Sequence, residues 1–293
     1  MHNFIPPDRF WAYLTWPEIQ ALPNKENVVL LQPLGAIEQH GHHLPLMVDA
    51  VIATGVLGKA LERLESEIPA YVLPTLFYGK SNEHCHFPGT VSLTATTLLQ
   101  ILMEVGESLY QAGFRKLVFV NGHGGQPQVV QIAARDLRQR FKDFYLFPHF
   151  VWSVLPPQAY APWLSAVELA EGIHAGDAET SLMLALLPEQ VRWDRAVAEY
   201  PPRWTHALPW EPSEHDPSQH PSDRSSLSLE GACPVAWLTH DLSQTGTIGN
   251  PTTASRSKGL AMLEALAAAW AGLIGQIYAF QFPPLNPISK PYS

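Results

Sequence analysis

The segment Glu38-Gln39-His40-Gly41-His42-His43-Leu44-Pro45-Leu46-Met47-Val48-Asp49 places two carboxylates and three imidazoles within twelve residues. Glu38 and His40 are two apart, so on an extended chain both side chains project to one face, and Asp49 can fold back from the next element. Oxygen and imidazole donors without a thiolate suit Zn²⁺, Mn²⁺ or Fe²⁺. A lone Glu-x-His also describes a wet polar loop with surface histidines. Matching ligands from other segments are what separate the two readings.

Three further clusters supply candidates. Asn121-Gly122-His123-Gly124-Gly125 offers one imidazole in a glycine-rich turn, readable as a ligand or as a plain tight turn. It is not a dinucleotide fingerprint, because the third glycine position falls on Pro127, and no Lys-Ser/Thr follows as in a P-loop. Gly172-Ile173-His174-Ala175-Gly176-Asp177-Ala178-Glu179-Thr180 carries a histidine and two acids ahead of an apolar helix. Asp177 or Glu179 could equally be first-turn acids favoured by the helix dipole. The last cluster runs Gly79-Lys80-Ser81-Asn82-Glu83-His84-Cys85-His86-Phe87-Pro88-Gly89-Thr90.

The elements that must position these clusters alternate along the chain. Residues 27–34, 70–76, 115–120 and 144–151 are short, rich in Val, Leu or Phe and bounded by turn residues, as buried parallel strands are. Helices are predicted over 49–65, 96–112, 126–141, 181–187 and 255–277. The resulting β-α succession predicts an α/β fold with a mostly parallel sheet. Ligands in such sheets gather beyond the carboxyl ends of the strands, so clusters far apart in sequence would meet at one crevice. Residues 188–234 turn to Pro, Trp, His and Ser and predict an irregular covering segment, with His206, His215 and His220 read as solvated. Trp204 and Trp210 there are candidates for substrate selection.

Composition narrows the function classes. The chain has 293 residues, 46% hydrophobic and 15% charged, consistent with one domain over 1–293. Its net charge of −9 without a basic cluster argues against nucleic acid as a partner. No stretch of about 20 uninterrupted apolar residues predicts a membrane span, and Met1–Asp8 lacks signal-peptide character, so a cytoplasmic protein is expected. Cys85 and Cys233 are too few for a disulfide framework, and Cys85 reads as a buried inert thiol. No Gly-x-Ser-x-Gly elbow supports a serine nucleophile.

Leu14-Thr15-Trp16-Pro17-Glu18, Glu38-Gln39-His40-Gly41, Leu44-Pro45-Leu46 with Asp49, Phe87-Pro88-Gly89-Thr90, the Asn121–Gly125 and His174–Thr180 clusters, and Gly246-Thr247-Ile248-Gly249-Asn250-Pro251 together carry a resemblance. The chain resembles the creatininase, or creatinine amidohydrolase, family of metal-dependent amidohydrolases. That resemblance implies a three-layer α/β/α sandwich, a dinuclear centre of Zn²⁺, Mn²⁺ or Fe²⁺, a small-molecule amide substrate, and a homo-oligomer, often a hexamer. It assigns Glu38 and His123 to one metal and His40 to the other, with Asp49 bridging. It makes Glu179 the remaining carboxylate ligand and catalytic acid group, and His174 the residue that moves a proton to the leaving nitrogen.

Departures bear on the substrate. His42, Val48 and Gln126 stand where the family usually has Pro, a small residue such as Thr, and Asn, and none removes a ligand. Members that open creatinine tend to carry an acid two positions after the histidine of Asn-Gly-His. Here that position is Gly125, so the resemblance does not carry creatinine itself over. Relatives with the Gly-Gly version include deformylases acting on formamido-pyrimidine intermediates and peptide-trimming enzymes, and the expected substrate is a cyclic amide, a formamide or a modified peptide. The rival from another class is a non-catalytic metal-binding scaffold.

Overall fold

The first helix, α1 (Trp16–Ala21), starts where Glu18 reaches back to accept the Thr15 N–H at 2.6 Å, so Leu14–Glu18 is a helix-start signal. In this computed structural model, which describes residues 2–201, 227–229 and 233–281, the chain then enters β1 (Val29–Leu34). All six residues of β1 are buried, as in a strand covered on both faces. The remaining elements follow as α2 (Val48–Leu61), β2 (Ala70–Val72), α3 (Ala95–Gln111), β3 (Lys116–Asn121), α4 (Pro127–Arg140), β4 (Tyr145–Phe150), α5 (Ala166–Glu171), α6 (Asp177–Leu186), α7 (Thr239–Leu242) and α8 (Arg256–Ala279). The main sheet has the order β2-β1-β3-β4, every pair parallel. Its β-α units match the expected α/β class.

Strand alternation sorts the layers. Val29 and Leu31 of β1 join Val118 and Val120 of β3 in one cluster with Ile52 of α2, Leu182 of α6 and Leu266 of α8. Leu30, Leu34, Leu117 and Phe119 belong to the other, with Leu98 of α3 and Leu137 of α4. Helices thus cover both faces. By length and composition α8 could cross a membrane, its most apolar window having a mean hydropathy of 1.6. Instead Met262, Leu266, Trp270 and Ile274 are buried in the first cluster, Trp270 donates to Val151 O at 2.9 Å, and the Lys116 ammonium donates to the carbonyls of Ile277 and Tyr278. A cation there complements the helix dipole.

Two expectations change. The second strand ends at Val72 rather than residue 76, because Pro74 has no N–H for the ladder, and pairing resumes only as an isolated bridge between Leu34 and Leu76. Pro33 sits in the central strand for the same reason: its carbonyl accepts from Leu76, so it faces the side where β2 has been interrupted. Cys85 is exposed, not buried, and Cys233 is exposed too; both are free thiols. Of the covering segment, residues 188–201 form short turns of 3₁₀ helix and extended chain. Trp204, Trp210, His206, His215 and His220 lie outside the described residues.

Two carboxylates brace the loops that close over the strand ends. Glu168 Oε1 accepts the Asp177 N–H at 2.7 Å, while its Oε2 accepts Asn250 N–H and Tyr200 O–H, both at 2.9 Å. Glu199 gathers the Ser243 and Thr245 hydroxyls and the amides of Gln244 and Thr245. Burial works against its charge, but those donors outweigh it and hold the carboxyl at about 2, below its ordinary 4.5. A depressed carboxyl stabilises fully above its unfolded value and loses that contribution as pH falls through its folded one. Glu199→Ala is therefore expected to lower stability by about 1–2 kcal/mol at neutral pH, discounted for exposure. The gap to wild type should close between pH 4.5 and about 2 in thermal melts; a gap independent of pH counts against the brace.

Candidate metal centre

Each arm of the site leaves a strand end or enters a helix. Glu38 and His40 follow β1, Glu83 and His84 lie beyond β2, His123 follows β3, Asp49 is in the first turn of α2, and Glu179 is in the first turn of α6 just after His174. Gln126, the family departure, ties three of these junctions: its amide N–H groups donate to Gly35 O and Asn121 Oδ1, and its oxygen accepts the Lys80 N–H. Asn121 in turn holds the His123 turn, receiving the His123 N–H and donating to the His123 carbonyl.

All six predicted residues converge. Asp49 stands between two histidines, Oδ1 lying 3.5 Å from His40 Nε2 and Oδ2 lying 3.6 Å from His123 Nδ1. Glu38 Oε2 is 3.1 Å from His123 Nδ1, and Glu179 Oε2 is 4.0 Å from His40 Nε2. Two donor sets result that could each hold an ion: His40, Asp49 and Glu179, and Glu38, Glu83 and His123. His174 lies in a third, with Glu38 and His40, its Nδ1 3.9 Å from Glu38 Oε1. His43 is outside all of them, bonded through Nε2 to Thr180 Oγ1 at 2.8 Å.

Hydrogen bonds to backbone carbonyls decide which nitrogens are available. His40 Nδ1 is 3.1 Å from Glu38 O, and His123 Nε2 is 2.9 Å from Lys80 O. A carbonyl only accepts, so each of those nitrogens carries the proton. In the neutral rings His40 Nε2 and His123 Nδ1 are then bare, and both face carboxylate oxygens. Lone pair against lone pair is repulsive unless a cation lies between them, and backbone-oriented imidazoles are the usual second shell of metal ligands. His40 Nε2 and Asp49 Oδ2 are buried without a hydrogen-bond partner among the described residues. The donors therefore fit divalent ions.

Without a cation, protons must take that place. Burial disfavours charge on His40, but Asp49, Glu179 and Glu38 outweigh it and raise the ring to about 9. His123 is likewise held well above the histidine range, burial being outweighed by Glu38, Glu83 and Asp49. Glu38 is buried too, yet His123, His84 and His40 keep its carboxyl well below the usual range. Burial and the charge on Glu38 push Asp49 up; burial, with Asp49 and Glu38, raises Glu179 to about 7. His174 differs. Burial and the neighbouring His84 and His40 hold it well below the usual value, so it is neutral, and its Nε2–H donates to Gln39 O at 2.6 Å. Its bare nitrogen is Nδ1, on the site side.

The matching family model, described as creatinine amidohydrolase, covers residues 12–274. This chain belongs to the creatininase family. A creatinine amidohydrolase of Pseudomonas putida is 34% identical over 94% of this chain and 98% of its own. A mycofactocin precursor peptide peptidase of Mycobacterium ulcerans is 33% identical over 84% of this chain and 79% of its own. A solved manganese creatininase superposes with a TM-score of 0.70 at 31% identity, covering 92% of this chain and 98% of that one. Other solved creatininases of similar likeness include a mutant of zinc-zinc type and a mutant complexed with creatine. The creatininase-like α/β fold and hydrolase membership follow.

Two site residues escape sequence reasoning. Glu83 Oε1 lies 3.1 Å from His123 Nε2, and His84 Nε2 lies 3.6 Å from Glu38 Oε1. The available signal was their place: they occupy the same strand-end junction as the recognised ligands, one strand over.

Proposed function

We propose that this creatininase-family hydrolase holds two divalent ions of zinc, manganese or iron and cleaves a non-peptide C–N bond in a cyclic amide, a formamide or a related small molecule. The observation that carries the proposal is the pair of bare nitrogens, His40 Nε2 and His123 Nδ1, set against opposite oxygens of Asp49. That geometry fits Asp49 as the bridge, Glu38 and His123 on one ion, and His40 and Glu179 on the other. Bound there, a pair of divalent ions supplies a nucleophilic water at neutral pH and polarises the scissile carbonyl.

The chain's own groups manage the protons. His174, neutral and with Nδ1 open, is poised to take a proton from the attacking water and to return it to the departing nitrogen. Ala175, next to it, adopts a left-handed φ of 54° and donates its N–H to Glu179 Oε2 at 2.6 Å, coupling the orientation of the two. A metal-binding scaffold would have no use for a base kept neutral beside the ligands. A homo-oligomer in the cytoplasm remains part of this reading, on the family resemblance and the composition.

Gly125 favours a second reading within the same chemistry. A Cβ at that position would lie 1.6 Å from Glu83 Oε1, so Glu83 fills the space that an acid at 125 would need. With no acid at 125, we expect creatinine to be turned over poorly, and the peptidase relatives make trimming of a modified peptide the alternative. The test is metal analysis of protein purified without chelator, followed by a panel of formamides, lactams, creatinine and short peptides. Two equivalents of metal and chelator-sensitive amide turnover are expected. Turnover indifferent to chelation overturns the proposal, and turnover of peptides alone selects the alternative.

A further inference from the structure

Resting on the amidohydrolase reading, we propose that His84 is a substrate-binding donor of this site and that Gln39 is the positioning residue that presents His84 and His174 to the substrate through opposite ring nitrogens. The orientation of the Gln39 amide is fixed by two backbone groups. Its Oε1 accepts the Gly41 N–H at 2.9 Å, and its Nε2 donates to the Gly246 carbonyl at 3.0 Å. A flipped amide would oppose donor to donor and acceptor to acceptor. The second N–H of the same amide points to His84 Nδ1, 2.9 Å away. An amide nitrogen cannot accept, so Nδ1 of His84 is bare and its proton resides on Nε2. Thr239 Oγ1 lies 2.8 Å from the same Nδ1 and 3.0 Å from the Glu83 carbonyl, so its one proton is shared between these two acceptors and the tautomer rests on the Gln39 amide.

His84 Nε2–H therefore faces the metal-ligand cluster as a donor. The Glu38 Oε1 carboxylate oxygen facing it is 3.6 Å away, beyond hydrogen-bond reach. The His84 and His174 rings lie 4.2 Å apart between centroids. One therefore shows the site an N–H and the other, held by the Gln39 carbonyl, a lone pair. A small amide offers the complementary pair, an acceptor oxygen and a nitrogen that needs a proton. Gly246 belongs to this device. Its φ of +85° and a virtual Cβ only 1.9 Å from Gln39 Oε1 exclude any side chain, which explains the glycine in the Gly246–Pro251 motif.

The test uses the zinc-loaded full chain with acetohydroxamate as a probe carrying amide-like acceptor and donor atoms. Nitrogen-15 NMR of the wild type at pH 7.5 should show His84 as the neutral Nε2–H form. His84→Met should weaken the probe about tenfold at unchanged zinc content, the loss of one buried hydrogen bond, and His84→Asn, which keeps an N–H donor, should recover most of that loss. Gln39→Glu, whose carboxylate only accepts, should move the His84 proton to Nδ1 in the same spectra. An Nδ1–H or cationic His84 in the wild type overturns the inference even if every variant misfolds. Equal probe affinity for wild type and His84→Met also overturns it and leaves the amidohydrolase reading standing. A wild type that binds zinc or acetohydroxamate not at all removes both.

Discussion

Asp49→Asn is expected to abolish turnover and to leave the protein unable to hold two ions at once. Asp49 and Glu38 each set separate oxygens toward both bare imidazole nitrogens, but Asp49 stands nearly midway, at 3.5 and 3.6 Å against 3.9 and 3.1 Å for Glu38, so its loss is expected to uncouple the two donor sets rather than weaken one. Asparagine keeps the volume but offers one neutral oxygen, and an N–H₂ group then faces an imidazole lone pair or a cation. Two-ion stabilisation of an acyl-transfer transition state is worth several kcal/mol, so a fall of about a thousandfold or more is expected. Metal content by plasma emission should drop from two equivalents to one or none. Retention of both ions at wild-type affinity counts against the bridge.

The same site sets a sign for pH. In the metal-free protein His40 holds its proton up to about pH 9, and an ion can bind only by displacing it. Metal uptake by the wild type should release protons near neutrality, and apparent affinity should rise with pH until about 9. Calorimetry in buffers of different ionisation enthalpy measures the proton count. In Asp49→Asn the largest charge raising His40 is gone, so fewer protons should be released as well.

How much of this was legible in sequence depends on distance along the chain. Apolar runs located the four strands of the main sheet, because a parallel strand covered on both faces must be largely apolar. They overran the end of β2, where Pro74, inside the apolar run, has no N–H to continue the ladder. Glu38, His40, Asp49, His123, His174 and Glu179 each carried a local signal, and their convergence follows from parallel topology. Glu83 and His84 were visible only as a polar patch. Their roles come from contacts with His123, Gln39 and Thr239 across separations of 40 residues or more, which no local pattern encodes. Tautomers are likewise tertiary facts, since each depends on which carbonyl or amide the fold brings to a ring nitrogen.

His174→Ala separates chemistry from metal binding. His174 Nδ1 stands 3.9 Å from Glu38 Oε1, close enough for the ring to be a third ligand rather than a proton carrier. As a ligand, its removal would lower metal content along with rate. As a proton carrier, its removal should leave two ions bound and cut turnover by about 10²–10⁴. The bond from Nε2–H to Gln39 O leaves Nδ1 bare on a neutral ring, which suits a ligand as well as a proton carrier, so the two roles are separated by metal content. His174→Gln should not restore the rate, since an amide cannot shuttle a proton, although it can still donate to the Gln39 carbonyl. The decisive readout is therefore metal stoichiometry beside turnover on one amide: rate lost with both ions retained marks the carrier, and rate and one ion lost together mark the ligand.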